Sequence, residues 1–198
     1  MTVKLVGSSS GSVSLQAPAS TSGGANRVIT LPDRDQVGLG RILQVVHVTK
    51  TDTSSVSLSN SSAYYDVPGL TASITPASTS NKILVDVLLS ISVPAGFHIT
   101  SRLLKGSTPI AVGDNGSQNS VIEGYSHIYT RATNGHYKID QMVLFHQDSP
   151  NTTSATTYKI NIHAHQSGTA YINKTNNNTD NNYNGTAVSA IRLMEVAA

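Results

Sequence analysis

His163 and His165 are separated by one residue, so on a β-strand both imidazoles point to the same side. Ile160, Ile162 and Ala164 alternate with them, which predicts a histidine face turned away from the core. From the residues alone the plain reading is a solvated polar pair beside Lys159 and Asn161. Asp86 and Asp140 are the other residues with chemical potential. On neighbouring strands they could flank a glycosidic bond, which takes two carboxylates roughly 5 to 9.5 Å apart. They are equally suited to cross-strand ion pairs with Lys82 or Lys138. Most other acids sit at turns, tryptophan is absent, and no Gly-x-Ser-x-Gly elbow lies between a strand and a helix. No catalytic residue is assigned, and the chain is not expected to be an enzyme.

Recognition chemistry is better supplied. Tyr125, Tyr129, Tyr171 and Tyr183 lie near loops or short strands, where a ring can stack on a sugar and its hydroxyl can hydrogen-bond. Asn176, Asn177, Asn178, Asn181 and Asn182 belong to an Asn-rich loop, 173–185. Amides of this kind exchange hydrogen bonds with glycan hydroxyls without the cost of desolvating a charge. These residues form the expected receptor or glycan surface, with the loop at 113–120 as a second candidate. Tyr137 and Tyr158 fall on apolar faces and are expected in the core.

The elements that must carry these groups are strands. Ile83, Val85, Val87, Leu89, Ile91 and Val93 are apolar at every second position, the mark of a strand with one buried face. Its opposite face carries Leu84 and Leu88, too apolar to be left to water, and points to a second subunit. The closing strand is apolar on both faces, so it is expected to lie centrally in its sheet or in a subunit contact, to which Ile191 and Leu193 would add. Further strands follow with period two: Ile42 to Lys50, Val56 with Leu58, Ala63 to Val67 stopped by Pro68-Gly69, and Leu70 to Thr75. Phe97, Ile99 and Leu103 line the next. A strand after the Asn134-Gly135 turn has Tyr137, Ile139, Val143 and Phe145 on one face, and Tyr158 to Ala164 make another. The pattern predicts an all-β fold, a two-sheet antiparallel sandwich, jelly-roll-like, over residues 41–198. Residues 1–40, with isolated apolar residues among Gly, Ser and Thr, are expected to be an extended arm.

Composition narrows the partners. The 198 residues include 12% charged against about 25% in ordinary soluble domains, and the net charge is only +2. The cations are scattered, which argues against nucleic-acid binding. Without cysteine there are neither disulfides nor thiolate metal sites. No segment is long and apolar enough to insert in a bilayer, and no leader pattern is visible.

Several phrases occur together in a telling order. Ser12-Val-Ser-Leu-Gln-Ala-Pro-Ala19 and Ala25-Asn-Arg-Val-Ile-Thr-Leu-Pro-Asp33 precede Gly69-Leu-Thr-Ala-Ser-Ile-Thr-Pro-Ala-Ser-Thr-Ser-Asn-Lys-Ile-Leu-Val85. Arg102-Leu-Leu-Lys-Gly-Ser-Thr-Pro-Ile110, Asp148-Ser-Pro150 with Thr157-Tyr-Lys159, and Ile191-Arg-Leu-Met-Glu-Val196 follow. This series resembles bacteriophage tail-fibre-type virion proteins of marine and cyanobacterial phages. The resemblance implies a homotrimer in the virion, assembled in the host cytoplasm. Its arm would contact other virion proteins and its outer surface a host glycan or receptor. In such a trimer His163 and His165 of three chains could surround one metal ion on the symmetry axis; no other cofactor is implied. The short arm favours a short tail fibre or fibre tip used for host attachment. A capsid decoration (cement) protein is the alternative, and a glycan-cleaving tail appendage the third reading.

Overall fold

The computed structural model describes residues 2–6, 12–16, 41–59, 63–114, 124–130, 137–177 and 179–198. It separates into two units, residues 1–36 and 37–198. In the first, β1 (Thr2–Val6) pairs antiparallel with β2 (Ser12–Gln16), Val3 opposite Leu15 and Leu5 opposite Val13.

The second unit is all-β. Its strands are β3 (Ile42–Lys50), β4 (Ser54–Leu58), β5 (Tyr65–Ile74), β6 (Lys82–Ser92), β7 (His98–Lys105), β8 (Thr108–Ile110), β9 (Ser126–Tyr129), β10 (Asp140–Asp148), β11 (Thr156–Ala164), β12 (Gly168–Ile172) and β13 (Ser189–Val196). The larger sheet runs β3-β13-β6-β12-β4, with β10 on the other side of β6. The smaller runs β5-β11-β7-β8, with β9 also on β7. All pairings are antiparallel. From β4 to β7 and from β9 to β12 the chain changes sheet at each successive strand, so neighbours in sequence face one another across the core. The result is the expected two-sheet sandwich.

Period two decides the core wherever only one face of a strand is apolar. Ile83, Val85, Val87, Leu89 and Ile91 of β6 are buried against Ile160 and Ile162 of β11, Ile99 and Leu103 of β7, and Leu70 and Ile74 of β5 in one cluster. Burying such side chains contributes roughly 1.5–3 kcal/mol each, which drives the sheets together. Tyr158 lies in the same core, its hydroxyl donating to Asp148 Oδ2 at 2.7 Å, while Lys105 holds Asp148 Oδ1 at 2.9 Å. Burial, then the Asp148 carboxylate, pushes that phenol far above its usual range.

Four expectations are corrected. Ile191 and Leu193 are 0% exposed, because β13 lies between β3 and β6 with its odd-numbered side chains in the core. They are therefore no part of an outer interface. In β10 the core takes Met142 and Leu144, leaving Val143 and Phe145 on the outside. Tyr137 lies just before β10 and is exposed rather than buried. Finally, Pro68-Gly69 does not end a strand. Strand β5 continues through it with a register break opposite Lys159–Asn161, and Gly69 adopts φ 75°, an irregularity tolerated because β5 is an edge strand. The Asn134-Gly135 turn lies outside the described residues.

Candidate functional site

The outer face of the larger sheet carries an apolar surface built by register. Across β10, β6 and β13, Val143 stands opposite Leu88, and Leu88 opposite Ala190. Two residues along, the row is Phe145, Asp86, Arg192 and, on β3, His47. The next row is Gln147, Leu84, Met194 and Val45. Phe145 is 65% exposed, and Val45 and Val143 are exposed as well. A glutamate–asparagine knot closes one end of β13. Glu195 is buried and accepts from Gln44 Nε2 at 2.6 Å, Asn81 Nδ2 at 2.6 Å and the Ala77 N–H at 2.7 Å. Burial alone would raise its pKa. The bonds from Asn81, Gln44, Ala77 and Ser78 outweigh that and hold the carboxyl below its ordinary value.

At the centre of the apolar face Arg192 donates to Asp86 Oδ2 through Nη2 at 2.5 Å and Nε at 3.1 Å. Beside this pair is a recess of about 300 Å³ lined by Leu88, Val143, Phe145, Ala190, Asp86 and Arg192. Aromatic, aliphatic, Met and Arg side chains around one internally neutralised ion pair are the composition of a protein–protein contact. Leu84 and Leu88, expected at a subunit interface, both lie on this face. Val143 and Phe145 were missed because both faces of β10 are apolar.

The expected recognition residues divide. Tyr125 is structural: its hydroxyl donates to the Phe145 carbonyl and accepts the Phe145 N–H at 2.9 Å, tying the segment before β9 to strand β10. Tyr171 is half-buried in β12, with the Lys174 ammonium 5.5 Å from its ring centre. Asn176 and Asn177 are half-buried, and the Asn176 N–H donates to Ser92 Oγ at 3.1 Å. Asn178 lies outside the described residues. Asn181, Asn182 and Tyr183 are exposed together, Tyr183 at 73%, and the Tyr183 ring lies 6.2 Å from that of Tyr137.

Their loop is held in shape from within. Asn184 Nδ2 donates to the Thr179 carbonyl at 2.6 Å, Asn181 Nδ2 to Thr179 Oγ1 at 2.9 Å, and the Tyr183 N–H to Asn181 Oδ1 at 3.0 Å. At its base Asn173 is buried with φ 61°, donating to the Lys50 and Asp52 carbonyls and accepting from Ser189 Oγ. A polar recess of about 370 Å³ opens among Thr179, Asp180, Asn181 and Thr186.

The two histidines of the His-x-His pair do not act together. His163 is 3% exposed and packs under the Tyr64 ring, centroids 5.2 Å apart. Strand β11 ends at Ala164, so His165 leaves the strand geometry and its Nδ1 accepts the His98 N–H at 3.2 Å. Both rings still lie on the outer side of the smaller sheet, but they do not point side by side from one strand. Among the described residues no group of three or more His, Cys, Asp or Glu side chains is arranged to hold a metal. Instead His165 joins His98 and His127. The His98–His165 centroids are 4.8 Å apart and the His98–His127 centroids 5.3 Å. This cluster was hidden in sequence because three separate segments supply it.

No family model matches the chain, and no curated protein is detectably similar to it. Among solved structures, VP2 of the infectious bursal disease virus subviral particle is 13% identical with TM-score 0.41, over 94% of this chain and 51% of that one. Infectious bursal virus derived T=1 particles give 15% and 0.39, over 98% and 44%. The Gx strain of that virus gives 17% and 0.38, over 96% and 44%. The chain therefore spans about half the length of these proteins or less.

Asp86 lies within β6 and Asp140 opens β10, and the two carboxylates do not meet. Asp140 stands opposite Ile91 and Asp86 opposite Phe145, five positions apart along the β10–β6 ladder and on opposite faces of the sheet. At about 3.4 Å per residue that is roughly 17 Å, well beyond the separation glycoside hydrolysis requires. Asp140 pairs with Lys138 and Asp86 with Arg192. Among the described residues no helix is long and apolar enough to cross a membrane.

Proposed function

We propose that this chain is a non-enzymatic structural protein of a bacteriophage virion, a homotrimeric short tail fibre or fibre tip that attaches the particle to its host. The apolar outer face of the larger sheet carries this reading. Leu84, Leu88, Val143 and Phe145 converge there on a chain whose surface is otherwise Ser-, Thr- and Asn-rich, which is what an assembling subunit needs. The acid and base at its centre neutralise each other within the chain, so a second copy can cover the patch without burying an unpaired charge. The phage assignment itself rests on the ordered series of sequence phrases. Attachment falls to the exposed Asn181, Asn182 and Tyr183, where amides and a ring can engage sugar hydroxyls.

A capsid decoration protein is the second reading, favoured by the separate unit at residues 1–36, which suits an arm laid over neighbouring subunits. Imaging purified particles labelled with antibody against this chain tests both. Label at the tail supports the fibre, label across the capsid supports the decoration protein, and unlabelled particles refute the virion assignment altogether.

A further inference from the structure

His98 opens β7, His127 lies in β9, and His165 lies in the turn between β11 and β12. His127 Nδ1 is 2.8 Å from Thr100 Oγ1, and its Nε2 is 3.1 Å from His98 Nδ1. His165 Nδ1 accepts the His98 backbone N–H at 3.2 Å. Hydrogen-bond logic limits how many protons this arrangement holds. The His98–His127 contact needs one N–H and one bare nitrogen, so the pair tolerates a single added proton, and a second sets donor against donor. His165 tolerates none at Nδ1, because a proton there would face the backbone N–H it now accepts.

The surroundings offer a second proton no help. Tyr129 of β9 stacks on His98 at 4.4 Å, and Phe97 lies edge-on to His165 at 6.2 Å. Further along the same outer face are His163 of β11, Tyr64, and Arg102 of β7, whose guanidinium sits 3.5 Å over the Tyr64 ring. Beyond them Lys159 is paired with Asp66. None of the ion pairs among the described residues involves the three clustered histidines. Burial, then the charges of His98 and His165, hold His127 below its ordinary value.

We propose that His98, His127 and His165 form a proton-operated latch that holds β9 and the 165–167 turn against β7 at neutral pH and releases them in acid. Strand β9 is a fitting element to release. It is four residues long and, among the described residues, pairs with β7 alone; the Gly96 and Thr130 backbone bonds at 2.7 and 3.0 Å hold its far end, while the Tyr125 bonds to Ser101 and Phe145 anchor its start, so release begins at Tyr129. The sign follows from the depressed histidine. The open form binds more protons than the closed one, so closing weakens as pH falls from the ordinary histidine range, by up to tenfold per pH unit for each such group.

Backbone hydrogen exchange on the full chain tests the latch, after correction for intrinsic pH dependence. Between pH 7.5 and 5.5 the amides of His98 and Thr130, bonded to His165 Nδ1 and the Phe97 carbonyl, should lose protection by up to about tenfold relative to Ile160 in the core. His127→Gln, which bonds but cannot gain a proton, should remove most of that pH dependence at Thr130 and part of it at His98, whose N–H His165 accepts, while His47→Gln on the other sheet should leave both intact. Equal protection at both pH values overturns the proposal, as does undiminished pH dependence in the His127→Gln protein. If that variant does not fold, ring NMR of the wild type decides. Coupled titration of the three rings supports the latch, and three independent titrations refute it.

Discussion

Replacing Phe145 with lysine isolates the contribution of the apolar sheet face to assembly. The ring is 65% exposed in the single chain. A phenylalanine side chain has roughly 200 Å² of surface, so about 130 Å² remains to be removed from water by a partner. At about 25 cal/mol per Å² that is worth about 3 kcal/mol per contact, before any cost of placing an ammonium in the same seat. Each 1.4 kcal/mol is about tenfold in affinity, so Phe145→Lys should weaken each subunit contact by about 100-fold. The fold should be spared, because the Tyr125 hydroxyl bonds only the main chain of residue 145. Exposed substitutions of this kind change stability by less than about 0.5 kcal/mol. Sedimentation equilibrium at micromolar concentration should show a trimer for the wild type and mostly monomer for the variant, with the same β-sheet circular-dichroism spectrum and a lower melting temperature only by the stabilisation that assembly adds. A wild type that sediments as a monomer would refute the reasoning outright. A variant that assembles as well as the parent would show that copies meet elsewhere.

Glu195→Gln puts amide hydrogens opposite the donors of Asn81 or Gln44 and should cost about 2–3 kcal/mol at neutral pH, read from urea midpoints. Because the folded carboxyl sits below its ordinary value of 4.5, the stability it adds is full above that value and is lost as pH falls through the folded one. The gap between wild type and variant should therefore narrow in acid. Tyr158→Phe leaves Asp148 Oδ2 without its donor and should cost about 1–3 kcal/mol. In the wild type an alkaline absorbance titration should find one tyrosine that ionises only on unfolding. Tyr183→Ala should leave the melting temperature unchanged and reduce adsorption to host cells; unaltered adsorption removes the 179–186 loop from the attachment surface.

Local reading succeeded where one physical choice dominated. In β6 the odd positions are all aliphatic while Asp86, Ser90 and Ser92 share the even face, so burial had one answer and Leu84 and Leu88 had to face outward. In β13 a similar signal was present but overlooked. Arg192 shares a face with Ala190 and Met194, and a guanidinium so placed marks the outer side, which leaves Ile191 and Leu193 for the core. Strand β10 offered no such signal. Met142 and Leu144 compete with Val143 and Phe145 on nearly equal terms, and alternation cannot rank two apolar faces.

The all-β character, the inner face of β6 and the polar nature of the 173–185 loop are properties of neighbours along the chain, and residue order alone determines them through the two-residue repeat of a strand. Which apolar face of β10 remained outside, the joining of β5 through its Pro-Gly bulge, and the meeting of His98, His127 and His165 were decided only by the tertiary structure. These depend on cross-strand register and on how two sheets stack, and both are set by contacts between residues far apart in sequence.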